Sequence, residues 1–208
     1  MENYKTVARE ASAEFTERKS RFIGYVRPVK TRAEAEEFIE EIRRIHRQAK
    51  HNVYAYVLRE DSFSKYSDAG EPSGTAGAPV LEAVKGAGLS DVCVVVTRYF
   101  GGILLGTGGL VRAYGKSAKM AIESAGISNM VYCRRYLIKC SYPDYEKINR
   151  AAYALGAYAE ETSFESEVII TLAVEALRAH ELEKKITDAA QNRAQLFELE
   201  AGFCKQNS

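Results

Sequence analysis

Two glycine-dense loops flank one apolar run between residues 68 and 114, and this arrangement constrains the chain more than any other feature. The first loop reads Asp68-Ala69-Gly70-Glu71-Pro72-Ser73-Gly74-Thr75-Ala76-Gly77. The second, residues 97–114, holds Gly101, Gly102, Gly106, Gly108 and Gly109. Between them, residues 91–99 (DVCVVVTRY) are apolar and β-branched without alternation, which predicts a central strand buried on both faces. Glycine at this density carries an entropic cost and answers a need for unusual dihedrals or close backbone approach. A sharp turn from a strand into a tightly packed helix accounts for one such loop. It does not account for two around the same strand.

The second loop leads into a predicted helix over residues 108–125, with Gly126 as its stop. Exposed N–H groups at a helix start, reinforced by the helix dipole, attract anions. Arg98, Arg112, Lys116 and Lys119 add positive charge, and the last three fall at i, i+4 and i+7 on one helix face. Together with Gly101, Gly102, Gly106, Gly108 and Gly109 they form a candidate nucleic-acid or anion site, against the alternative of a solvated basic face. A candidate ligand loop comprises His51, Asp68, Gly70, Glu71, Ser73, Gly74 and Thr75. Named motifs fail in both. Gly115-Lys116-Ser117 resembles the end of a phosphate loop, but Leu110 stands where the first glycine belongs and the triplet lies within a helix. Gly106-x-Gly108 starts a dinucleotide fingerprint that Val111 breaks. No nucleophile elbow is present, and neither carboxylate nor cysteine spacing suits a metal. No catalytic residue, metal or cofactor is therefore assigned.

Around this region the pattern predicts an α+β protein of two domains, residues 1–127 and 128–208. Residues 15–29 read as one or two strands. Thr31 and Glu34 make a capping box for a helix whose apolar positions recur through Ala49. Residues 53–58 read as a strand, 60–79 as a long loop and 80–88 as a short helix. After a linker at 127–130, the order strand 131–142, helix from Pro143 to 155, strands 158–163 and 167–174, helix 175–190 and strand 194–200 is that of a split βαβ unit.

Charge says little about partners: residues 1–127 hold 19 Lys and Arg against 16 Asp and Glu, and the remainder 10 against 12. Cys93, Cys133, Cys140 and Cys204 have no metal-ligand spacing and read as buried free thiols, which suits a reducing cytosol. No apolar run approaches the ~18 residues of a membrane span, and the first residues lack a signal-peptide pattern. A cytoplasmic protein without membrane association is expected.

Four stretches carry a resemblance to a known family. They are Lys50-His51-Asn52-Val53-Tyr54-Ala55-Tyr56; Asp68-x-Gly70-Glu71-Pro72-Ser73-Gly74-Thr75-Ala76-Gly77-x-Pro79; Val94-Val95-Val96-Thr97-Arg98-Tyr99-Phe100-Gly101-Gly102; and Leu105-Gly106-x-Gly108-Gly109-Leu110-Val111-Arg112-Ala113-Tyr114. With Lys19-Ser20-Arg21-Phe22-Ile23 they resemble the signature of the IMPACT family, in its bacterial YigZ-like branch. The resemblance implies two two-layer α/β domains. The first is similar to domain IV of elongation factor G, with a left-handed βαβ crossover, and the second to its ferredoxin-like βαββαβ domain V. It also implies a translation-related regulator or accessory protein that binds RNA or the ribosome, and carries over no catalytic residues. The kinase-linked role of eukaryotic members is not carried over. Two alternatives stand beside this expectation: an enzyme of unknown substrate using the Asp68–Thr75 loop, and a purely protein-binding regulator docking through its second domain.

Overall fold

The computed structural model describes residues 2–206. They form two compact α+β units, residues 4–129, and residues 130–206 together with 2–3.

In the first unit a short strand, β1 (Tyr4–Val7), precedes an antiparallel sheet of β2 (Ala11–Glu17), β3 (Ser20–Pro28), β4 (His51–Leu58), β5 (Phe63–Ser67) and β6 (Val92–Tyr99). Its strand order is β2-β3-β6-β4-β5. Three helices accompany it: α1 (Arg32–Ile45), α2 (Gly77–Gly86) and α3 (Thr107–Ala125). The central strand explains the valine run. Val92, Val94 and Val96 pack with α2 and α3, whereas Cys93 and Val95 pack against Ala35, Phe38, Ile39 and Ile42 of α1. Burial on both faces removes the polar half of the alternation, and each buried valine contributes about 1.5–3 kcal/mol. The α+β class holds. The layering differs from the two layers expected, since α1 covers one face of the sheet and α2 and α3 the other.

α1 begins as its capping box requires, with Thr31 Oγ1 accepting the Glu34 N–H at 3.2 Å, although the Glu34 carboxylate reaches the Lys30 N–H instead of the Thr31 N–H. It stops at Ile45, four residues before Ala49. The His46 ring is held between the Tyr25 and Tyr99 hydroxyls at 2.6 and 2.8 Å. Residues 60–79 are not one loop: β5 pairs with β4, and α2 starts at Gly77. β5 is a largely exposed edge strand, so its side chains give no apolar signal.

The second unit contains β7 (Ile127–Cys140), α4 (Tyr142–Tyr153), β8 (Tyr158–Phe164), β9 (Val168–Glu175), α5 (Ala179–Ala189) and β10 (Gln195–Lys205). All its pairings β10-β7-β9-β8 are antiparallel, which is the ferredoxin-like order. Residues 127–130 belong to β7 and not to a linker. Tyr136, Ile138, Ile148, Ile170, Leu172, Leu182 and Ile186 form its core.

The expectation of four free thiols is corrected here. Cys133 and Cys204 form a disulfide, while Cys93 and Cys140 are free and buried. The β7–β10 register sets Gly202 opposite Cys133 and Cys204 opposite Val131, so two cysteines 71 residues apart lie with their Cα atoms 6.2 Å apart. The cysteines therefore no longer argue for a reducing compartment. Among the described residues no helix is long and apolar enough to cross a membrane.

Candidate functional site

Sheet register assembles the site. His51 of β4 lies opposite Arg98 of β6, which lies opposite Phe22 of β3. The three residues form a row across the sheet on the face that α2 and α3 cover. Tyr114 descends from α3 and meets the Phe22 ring edge-on at 5.3 Å.

The first glycine loop is organised by Asp68. Its carboxylate accepts the N–H groups of Gly74, Ala76 and Gly77 at 2.9, 3.0 and 2.8 Å. Ala76 caps α2 without a side-chain bond of its own, so Asp68 serves the helix start from eight residues upstream. Burial works to raise the Asp68 pKa, but these three backbone donors outweigh it and hold the carboxyl below its ordinary value. Thr75 Oγ1 donates to the Pro72 carbonyl at 2.7 Å, and the His51 ring meets the Ala69 carbonyl at 3.0 Å.

The loop folded in this way points Glu71 inward. Glu71 Oε1 accepts from Arg98 Nη1 and from the Tyr114 hydroxyl, both at 2.7 Å. Both charged side chains are buried, at 6% exposure for Arg98 and 4% for Glu71. Burial, reinforced by the adjacent Glu71 carboxylate, pushes the Tyr114 pKa far up, so its hydroxyl stays protonated and donates. Arg98 Nη2 reaches Ser20 Oγ at 3.4 Å, and its Nε has no partner.

The second loop closes the other side. The Gly101 N–H donates to Ser20 Oγ at 3.2 Å. A Cβ at Gly101 would stand 2.0 Å from the Lys19 carbonyl carbon and oxygen, so only glycine permits this approach of loop to hairpin. Gly106 starts α3 at φ 72°, a left-handed conformation that disfavours other residues, and no side chain caps the helix there. Gly102 is exposed on this loop, and Gly108 is exposed in the first turn of α3. Gly109 packs on Leu105.

The structure thus separates the predicted basic set. Arg98 is withdrawn from it: its guanidinium faces a buried carboxylate and is not presented to an external phosphate. Arg112, Lys116 and Lys119 are exposed on α3 and line one groove of about 1040 Å³ between α2 and α3, with Gly74, Pro79 and Glu82 among its other walls. Lys116 Nζ rests 4.4 Å above the Phe15 ring. A second hollow of about 250 Å³ brings Arg18 beside Arg112 and Lys116. In the ligand loop, Asp68, Glu71 and Thr75 are committed to internal bonds, Gly70 and Gly74 supply positive φ, and Ser73 is exposed. Sequence reasoning missed Ser20, Phe22 and the role of Tyr114. It also missed the phase of β6: Arg98 shares its parity with Val92, Val94 and Val96, which already turns it toward the core.

Fold and site define a two-unit α+β protein: a sheet domain whose two glycine loops are locked onto one buried arginine, followed by a ferredoxin-like domain. A family model described as the Impact N-terminal domain matches residues 18–122, and one described as a domain of unknown function matches residues 138–193. IMPACT family member YigZ of Escherichia coli is 32% identical over 186 residues, covering 88% of this chain and 91% of that one. IMPACT family member YvyE of Bacillus subtilis is 50% identical over 128 residues, covering 61% of this chain and 59% of the relative's length. The crystal structure of a hypothetical protein superposes with a TM-score of 0.63 at 30% identity, covering 96% of this chain and 98% of that one. The chain belongs to the IMPACT family.

Proposed function

We propose that this protein is a translation-related accessory factor that binds RNA or ribosomal particles through the cationic ridge of α3. The observation that carries the proposal is the exposure of Arg112, Lys116 and Lys119 on one face of α3, beside a helix start without a side-chain cap. Arg18 borders the same ridge. Glu82 and Glu123 line the groove as well, so its walls carry both signs of charge. Contacts of this kind go to phosphates, and they set position and affinity without reading sequence. Arg98 contributes indirectly, by fixing the loops that frame the ridge. Family membership supports the translation setting.

The test is co-sedimentation of the purified chain with purified ribosomes, comparing wild type with the triple variant R112A/K116A/K119A. Wild type is expected to travel with the particles at low salt and to dissociate as salt rises, while the triple variant stays in the supernatant. Equal sedimentation of the two proteins overturns the assignment.

A further inference from the structure

The loop between β6 and α3 exposes Phe100 at 53%, Ile103 at 41% and Leu104 at 80%, three large apolar side chains within five residues. Such a cluster on a surface loop marks a site of interaction. Cations border it on one side. Arg18 Nη1 reaches the Leu104 carbonyl at 3.5 Å, and Arg18 shares a hollow with Leu105, Arg112 and Lys116. Phe100 is also held in place. The Arg98 guanidinium lies 5.4 Å from its ring centroid, and that guanidinium is itself fixed by Glu71. The result is an aromatic plane backed on one side by a buried cation, with the rest of its surface in solvent, set among surface charges that suit a polyanion.

We propose that Phe100 is a stacking platform for an unpaired base of RNA. Ile103 and Leu104 extend its apolar surface, and Arg18, Arg112 and Lys116 hold the flanking phosphates. This inference rests on the RNA reading above and narrows it to RNA with single-stranded loops, bulges or ends, whose splayed bases stack on aromatic side chains. It also gives the Arg98–Glu71 pair a purpose: the pair stiffens the plane on which a base would lie.

The chain contains no Trp, so F100W installs a single indole reporter at the platform. The variant is titrated with a hairpin RNA carrying an unpaired loop, with a blunt RNA duplex of equal charge, and with phosphatidylcholine–phosphatidylserine vesicles. Fluorescence anisotropy of labelled RNA reports binding in parallel. The hairpin is expected to quench the indole, and the duplex to bind without quenching. F100A is expected to lower hairpin affinity about tenfold, the scale of one lost base stack, with duplex affinity unchanged, and F100Y to restore it. Thermal melts of the variants matching wild type exclude a folding defect at this exposed position. Hairpin binding without quenching, together with equal hairpin affinity for wild type and F100A, overturns the stacking proposal and leaves the phosphate contacts intact. Failure of wild type to bind either RNA overturns both. An indole response to vesicles but not to the hairpin overturns the proposal in favour of a lipid surface.

Discussion

Removing the Glu71 carboxylate should destabilise the first unit more than most single substitutions can. In Glu71→Ala the Arg98 guanidinium stays buried and keeps only Ser20 Oγ, at a long 3.4 Å, while its Nε already lacks a partner. The Tyr114 hydroxyl loses its acceptor as well. Removing one partner of a buried pair, and so stranding the other charge, costs about 3–5 kcal/mol. For a domain of this size that corresponds to a fall in Tm of roughly 10–20 °C. Tyr114→Phe removes one bond to a charged group and should cost about 1.5–3 kcal/mol. Arg98→Met strands the Glu71 anion, so it should resemble Glu71→Ala. The double variant E71A/R98M leaves no buried charge, and should therefore cost clearly less than the sum of its singles. Calorimetry of the intact chain, following the transition that moves, measures each value. A loss below about 1 kcal/mol for Glu71→Ala, or strict additivity in the double variant, refutes the view that this pair locks the two loops.

Gly101→Ala drives a Cβ into the Lys19 backbone and should cost about 1–3 kcal/mol. Gly108→Ala has only the Arg112 guanidinium nearby, at 3.5 Å, and should be neutral or stabilise by about 0.4–1 kcal/mol in the same melts. In the second unit Arg193, aided by Ser141, holds the Asp144 carboxyl at a pKa of about 2, below its ordinary 3.8. That contribution is complete above the unfolded value and is lost as pH falls from about 4 through about 2, so Asp144→Asn should flatten the acid limb of stability measured by urea melts. Thiol titration of the denatured, unreduced protein should count two reactive cysteines, Cys93 and Cys140, and four after reduction.

What could be read from the sequence follows from which side chains are buried. β6 was legible because both its faces are covered, leaving an unbroken valine run. α1 was legible through Thr31 and its periodic apolar face, but its end was not, because His46 terminates it with tyrosines from other strands. β5 was invisible because an exposed edge strand needs no apolar pattern. The two glycine loops were correctly singled out, yet the sign of Arg98 said nothing of its direction. Its partner Glu71 lies 27 residues away on a loop whose path Asp68 determines. The Cys133–Cys204 pair depends on strand register and so left no local trace.

The salt dependence of RNA binding by the intact chain tests the central claim most directly. The slope of log affinity against log salt is measured for wild type and for R112A/K116A/K119A. If α3 presents these three cations to phosphates, the variant's slope should be shallower by about two to three units. Equal slopes would place the RNA, if bound at all, somewhere other than on α3.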